Sequence, residues 1–370
     1  MRGIIAGLAV LLSAGCAGKL FYLPLPGGTV VEWSQWGGGP EGRARVLGAP
    51  DAPLRLLWQQ SLGAAPVGSP LVEGQLILQL SAGPSLLSFD RYRGQRLGRR
   101  GLDAQVSAAG VLLGTRLVMG EAGPKPVLRC YERRENKVAW TYKGLACAPL
   151  TGRGDTLVAA MNSGVVVALD GATGKCLWQV QLGGPLWAAP ALGLDEVFVG
   201  DGGQGLVALE LAGGKQRWQR DLGAPLRVVV VGEGLVYAAT ARGTVLACSA
   251  DSGSVRWRTE LKVLPAAGMA LVGGVLALGA ADCSLYGLEA QTGKVRWQFS
   301  TEGVVSGTPA GSAGVFYAGS SGGYLYAVER ETGRLAWKYQ LDGPALQPVA
   351  LGEGLVAVAT EEGTLYVFGK

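Results

Sequence analysis

Apolar runs of about five residues, rich in Val, Leu, Ala and Tyr, recur along this chain, each closed by Gly, Asn or Asp. LVAAM leads to VVVAL across Asn162-Ser163-Gly164, and EVFVG leads to GLVAL across Asp201-Gly202-Gly203. Runs this short between turn formers predict β-strands joined by hairpins. No segment beyond the N-terminal leader sustains a helical period. After each pair of runs comes a more polar segment ending in tryptophan, at Trp58, Trp140, Trp178, Trp218, Trp257, Trp297 and Trp337. The spacing is close to 40 residues, and the one missing beat falls on Gly98. A fixed period of this length in an all-β pattern predicts one four-stranded unit copied around a ring, a β-propeller.

Aligned on the tryptophan, the copies read SFDRYRGQRLG, CYERRENKVAW, ALDGATGKCLW, ALELAGGKQRW, ACSADSGSVRW, GLEAQTGKVRW and AVERETGRLAW. Four residues before the tryptophan stand Gly94, Gly174, Gly214, Gly253, Gly293 and Gly333, with Asn136 as the exception. Glycine, and Asn among the others, tolerates positive φ, so this column predicts a left-handed turn between two strands. Ten residues before it every copy is small: Ser88, Cys130, Ala168, Ala208, Ala247, Gly287 and Ala327. That column predicts close approach of neighbouring units, with the indole as the large partner, burying roughly 150–250 Å² per copy.

The phase sets the number of units. Seven intervals of about 40 residues separate Trp58 from Trp337, and a further tryptophan would fall beyond Lys370. The last copy, EGTLYVFGK, supplies a third strand without a fourth, while LRLLWQQ around Trp58 is a fourth strand without a preceding unit. The expected architecture is therefore all-β: an eight-bladed propeller of four-stranded antiparallel blades over residues 54–370, closed by the N-terminal strand. Closure leaves no unpaired sheet edge. Gly is 61 of 370 residues, about twice the usual share, as frequent tight turns require.

The N-terminus reads differently. MRGIIAGLAVLLSAGC has one positive charge, an apolar stretch too short to span a bilayer comfortably, and small residues before Cys16. This predicts an export signal over residues 1–15, and SAGC resembles a bacterial lipobox, which implies cleavage before Cys16 and its lipidation. Ala17 after the cysteine points to sorting to the outer membrane. Residues 16–53 are rich in Gly and Pro, as suits an extended tether. Within it WSQWGGGP reads as Trp33 and Trp36 packing on the outer surface of the ring.

ALDGATGKCLW, GLEAQTGKVRW and AVERETGRLAW resemble the tryptophan-docking repeats of the quinoprotein-type propellers, over about residues 54 to 370. With eight units behind a lipoprotein leader, the chain is similar to the BamB-like outer-membrane assembly lipoproteins within that class. This resemblance implies a non-catalytic scaffold, lipid-anchored on the periplasmic face of the outer membrane. It also implies a monomeric ring within a hetero-complex, with the barrel-assembly pore protein or another envelope protein as partner. The family's partner-binding connections correspond here to GGPLWAAP and RDLGAPLR, which keep little of the family's wording beyond Ala189-Pro190. The implied contact region is Leu186 and Trp187 in the first and Leu226 and Arg227 in the second. Trp and Arg are enriched at binding hot spots, and Trp187 and Arg227 are the expected anchors. The alternative is that Trp187 plugs the ring near its channel. Two other roles are carried beside the scaffold: an exported ligand- or protein-binding module, and a quinone-dependent dehydrogenase.

Candidate chemistry narrows these roles. The chain has no histidine, which removes the Ser-His-Asp triad and the commonest metal ligand. A quinone dehydrogenase of this fold is expected to carry a vicinal cysteine pair and a calcium-binding acidic cluster. The six cysteines are scattered, and no loop has calcium-ligand spacing. No catalytic, cofactor or metal residue is therefore assigned. Asp90, Glu132, Asp170, Glu210, Glu289 and Glu329 recur at a turn entry in six of the seven copies, where hydrogen bonds to local turn amides explain them. Besides Cys16, the chain has Cys130, Cys147, Cys176, Cys248 and Cys283; Cys130, Cys176 and Cys248 are read as small buried hydrophobes, with a Cys130–Cys147 bridge as an open possibility. The charge balance, 33 basic against 28 acidic residues, is too mild and dispersed to suggest nucleic acid as a partner.

Overall fold

The computed structural model describes residues 21–22 and 31–370; the leader and Cys16 lie outside them. Among the described residues there is no helix, and the strands assemble into eight small antiparallel sheets arranged as a ring. Blade 1 runs over residues 66–101, blade 2 over 106–143, blade 3 over 151–181, blade 4 over 191–221, blade 5 over 226–260, blade 6 over 265–300 and blade 7 over 310–340. Blade 8 takes three strands from residues 350–369 and its outermost strand, Arg55–Ser61, from the other end of the chain. Arg55 pairs with Gly369 and Ser61 with Thr364, so the ring closes on itself as the phase requires.

Burial follows distance from the axis. The first strands of successive blades contact one another around the centre, and the two middle strands of each blade are almost wholly buried. Outermost strands alternate: in Cys176–Gln181 and Val255–Glu260 one residue, the tryptophan, is buried and most of the others are exposed. A strand with a single inward anchor needs only that residue to be large. At about 25 cal/mol per Å², each buried indole contributes several kcal/mol to blade packing.

The turn column does the matching work on the next blade. Gly94, Gly174, Gly214, Gly253, Gly293 and Gly333 all have φ between +65° and +73°. A Cβ on any of them would lie 2.3–2.7 Å from the indole of the preceding blade's tryptophan. Each such indole also donates through Nε1 to a carbonyl in the same turn, for instance Trp140 to Gly171 at 3.0 Å and Trp218 to Ala250 at 2.7 Å. The small column acts within a blade rather than between units. Cys130, Ala168, Ala208, Ala247, Gly287 and Ala327 are the cross-strand partners of the tryptophans, next to a bulge, and a Cβ on Gly287 would meet the Trp297 ring at 2.1 Å.

From Val31 onward the segment read as an extended spacer lies against the ring. Val31–Trp33 adds a fifth strand to blade 1. The following residues travel around one face and meet the ends of the inner strands in order. Leu112 of blade 2 donates to Ser34 O, Leu192 of blade 4 to Pro40 O and Val231 of blade 5 to Glu41 O. Leu271 of blade 6 then donates to Arg43 O and Gly311 of blade 7 to Ala44 O. Between these, the amide of Gly152 in blade 3 donates to the Gln35 side chain. Glu32 pairs with Arg91, Glu41 with Arg153 at 2.7 Å, and Asp51 accepts from Gly314 N at 2.8 Å. Trp33 is fully buried, with Nε1 donating to Ser69 at 3.1 Å, so it belongs to the core and not to the outer surface.

Candidate functional site

The inner strands begin at one face of the ring and end at the girdle formed by residues 34–48 on the other. Between them the channel holds a cavity of about 300 Å³. Its floor is girdle backbone and side chain, including Trp36 and Pro40; its walls are mostly apolar, with Pro149, Pro190, Val229 and Met269 among them. Gly37 at φ +74° has the Cα of Gly42 3.0 Å from where its Cβ would be, so the floor can fold this tightly only with glycine. Opposite the floor, Trp187 and Arg227 line the cavity and reach solvent.

The four residues assigned to partner binding divide into two kinds. Trp187 is 64% exposed and Arg227 is exposed, and both line the cavity wall. Leu186 and Leu226 are buried in the blade cores beneath them. Leu186, Trp187 and Leu226 also line a second, smaller hollow of about 170 Å³ between their two connections, with Pro185, Gly202 and Pro225. A flat indole and a guanidinium held on proline-containing connections are a contact surface with little side-chain freedom to lose at the indole. Sequence reasoning missed the floor, because most of its contacts with the blades run through girdle carbonyls, which carry little side-chain signature.

The remaining candidates behave as structural groups. Asp90 accepts from the amides of Tyr92 and Arg93 at 2.9 and 2.6 Å, and Asp170 from the amide and hydroxyl of Thr173, both at 2.7 Å. Glu289 and Glu329 take the hydroxyls of Thr292 and Thr332 rather than amides. The Thr173 hydroxyl, and then its amide, hold the Asp170 carboxyl below its usual range; Thr292 and Arg296 do the same to Glu289. All five described cysteines are free thiols, so no Cys130–Cys147 bridge forms. Burial pushes Cys130 up to about 12 and Cys248 up to about 11, which keeps both thiols protonated and unreactive. Cys176 departs from the buried reading: it is exposed on the outer strand of blade 3, beside Tyr142 of blade 2.

The fold class raises the question of a quinone with calcium in the channel. No Asp, Glu or Cys lines the cavity, and among the described residues no group of three or more His, Cys, Asp or Glu side chains could hold a metal ion. The donor set does not fit that cofactor, and no chemistry is routed through it.

The family profile described as outer membrane protein assembly factor BamB matches residues 84–228, 162–303 and 298–370. No curated protein matches the chain by sequence. Among solved structures, BamB from Moraxella catarrhalis superposes with a TM-score of 0.70 at 16% identity, over 86% of this chain and 100% of that one. The computationally designed Ika8 protein does so at 0.75 and 14% identity, with the same coverages. The quinohemoprotein alcohol dehydrogenase from Comamonas testosteroni reaches 0.74 at 12% identity, over 91% of this chain and 80% of the enzyme. At such identities these likenesses speak for the fold alone.

Proposed function

The chain belongs to the family of the outer membrane protein assembly factor BamB, and from that membership we propose a non-catalytic scaffold lipoprotein of outer-membrane β-barrel assembly. The ring is anchored through a lipid on Cys16 and faces the periplasm. It engages the periplasmic part of the barrel-assembly pore protein, or another envelope protein, through the mouth formed by Trp187 and Arg227. The observation that carries this reading is that exposed pair on the open end of the channel, in connections within the residues that the family profile matches. Leu186 and Leu226 serve the site from below, by fixing the connections that present the pair. The chemistry present supports binding rather than turnover, since the cavity wall offers one charged side chain, Arg227, and no general base.

A second reading keeps the fold and the anchor but makes the cavity a small-ligand site. Thr308 favours it: its hydroxyl is buried on the cavity wall without a hydrogen-bond partner. One experiment separates the two. Crosslinked affinity purification of the full-length protein from envelopes, followed by mass spectrometry, should recover the barrel-assembly pore protein, and Trp187→Ala with Arg227→Glu should abolish that recovery. Recovery that survives both substitutions would move the interface elsewhere. Recovery of a different envelope component alone would replace the assembly role.

A further inference from the structure

We propose that the rim of blades 8, 1 and 2, on the girdle face, is a second membrane contact that seats on anionic lipid headgroups. This rests on the reading of Cys16 as the lipid anchor. The argument begins where the described chain resumes after that cysteine. Phe21 is buried against blades 1 and 2, and its carbonyl accepts from Arg133 Nη1 at 3.0 Å. The Tyr22 ring lies 5.4 Å from the Arg133 guanidinium and 4.7 Å from that of Arg134, and its hydroxyl accepts from Arg134 at 3.0 Å. Arg133 is itself clamped between Glu73, at 2.9 Å, and Gly114 O, so Phe21 is held by a buried network. Only five peptide units separate residue 16 from residue 21, a reach of at most about 18 Å. An acyl chain on Cys16 therefore brings this side of the ring to the membrane surface and keeps it there.

The surface at that side is chemically distinct. The blade 1 turn and outer strand read RYRGQRLGRR, with Tyr92 67% exposed and Arg93, Arg96 and Arg99 exposed. Arg55, which begins the outer strand of blade 8, is exposed beside them. None of these four arginines makes an ion pair among the described residues. Nearby acids are mostly engaged: Asp90 accepts turn amides, Glu32 pairs with Arg91, and Glu135 pairs with Lys137. Corresponding turns elsewhere are more balanced, as in Asp170-Gly-Ala-Thr-Gly-Lys175. Unpaired guanidinium groups around an exposed tyrosine suit an anionic interface, where cations attract headgroup charge and Tyr sits at the polar boundary. A lipid chain combined with a basic patch anchors more firmly than either does alone. The same contact orients the ring, turning the Trp187 and Arg227 mouth away from the bilayer.

The test uses the mature full-length protein purified from envelopes, wild type and Arg93→Glu/Arg96→Glu/Arg99→Glu, floated with vesicles. One set is phosphatidylethanolamine and phosphatidylglycerol at three to one; the other is phosphatidylcholine only. The wild type should partition onto the anionic set at least about tenfold better than onto the neutral set, with the preference shrinking in high salt. The triple variant should lose that preference while keeping its melting temperature and its binding to neutral vesicles. A wild-type ratio near one, or a ratio unchanged in the variant, overturns the proposal. Failure of the anchor reading looks different: intact mass without acyl chains and no binding to neutral vesicles, whatever the ratio.

Discussion

Six of the eight joints between neighbouring blades are built alike; at the closing joint Trp337 of blade 7 meets Phe368 of blade 8 instead of a turn glycine, and the joint between blades 1 and 2 uses different parts altogether. At the six, a tryptophan lies on a left-handed glycine of the next blade and donates to a carbonyl of the same turn, from Trp58 on Gly94 to Trp297 on Gly333. Between blades 1 and 2 the tryptophan position is Gly98 and the glycine position is Asn136, at φ +50°. The two exceptions to the repeat are thus the two halves of a single contact. In place of the indole, the Arg100 guanidinium bonds both the carbonyl and the side chain of Asn136 and lies 4.4 Å from the Tyr131 ring centroid. Arg220 and Thr259, two residues beyond their tryptophans like Arg100, also donate to the carbonyl of the turn glycine, at 2.6 and 2.7 Å. The variant joint keeps this outer bond and drops the indole. It teaches that glycine in the turn column is demanded by the indole above it as much as by φ, since Asn occupies the same backbone conformation where no ring is present.

The largest difference between the joints should appear when the turn residue is replaced by valine. Gly174→Val forces a β-branched residue to φ +72° and drives a Cβ to 2.6 Å from the Trp140 ring, a double insult worth at least about 3 kcal/mol. Asn136→Val meets only the backbone cost and the lost Arg100 bond to its side chain, about 1–2 kcal/mol. Thermal unfolding of both proteins, with limited proteolysis to locate the loosened blade, checks the order. Equal losses would mean that the indole gives way freely and φ alone selects glycine.

A reconstruction should sharpen the contrast with a smaller effect. Gly98→Trp alone places an indole above the Asn136 side chain and should destabilise. Gly98→Trp with Asn136→Gly recreates the six-fold pattern and should recover the loss, with a coupling of roughly 1–3 kcal/mol between the sites. Additive melting shifts would show that blade 1 cannot present an indole in the regular orientation.

The repeat made the scaffold readable because its constraints lie in side chains at fixed positions. Tryptophan and glycine columns gave the blade count, the turn geometry and the N-terminal closing strand. The small column was visible, but its use was not: Ala168 lies opposite Trp178 in its own blade, and periodicity cannot tell that from contact with a neighbour. The link between Gly98 and Asn136 stayed hidden for the same reason, since it needs the knowledge that each tryptophan docks on the following turn. The girdle escaped altogether. Its residues occur once, and most of its bonds to blades 2 and 4 to 7 are made by backbone carbonyls, which any sequence can supply. At the mouth, Trp187 and Arg227 were found as residue types suited to an interface, but the burial of Leu186 and Leu226 depends on packing that the connections alone do not reveal.

The smallest effect concerns the acid at the turn entry, where blade 2 differs from three of the regular joints. In blade 3 the Thr173 hydroxyl donates to Asp170, and blades 6 and 7 repeat this with Thr292 to Glu289 and Thr332 to Glu329. Blade 2 has Glu135 in the threonine position, and its Glu132 accepts instead from the Thr115 hydroxyl, at 2.9 Å. The Thr173 hydroxyl favours the ionised form of Asp170, so its folded-state value lies below the ordinary aspartate range. A depressed carboxylate contributes stability that is present above the unfolded-state value and is lost as pH falls through the folded one. Thr173→Val should therefore lower the melting temperature slightly at neutral pH, and the deficit should close as pH drops below about 4. Salt should shrink it little, because the bond is short-range and its donor is a neutral hydroxyl. Glu135→Ala in the blade 2 turn removes no donor to the entry acid and should show no deficit that closes in acid. A Thr173→Val deficit that persists unchanged at low pH would assign the threonine to packing, and the turns of the regular joints would then differ from that of blade 2 in their glycine and indole alone.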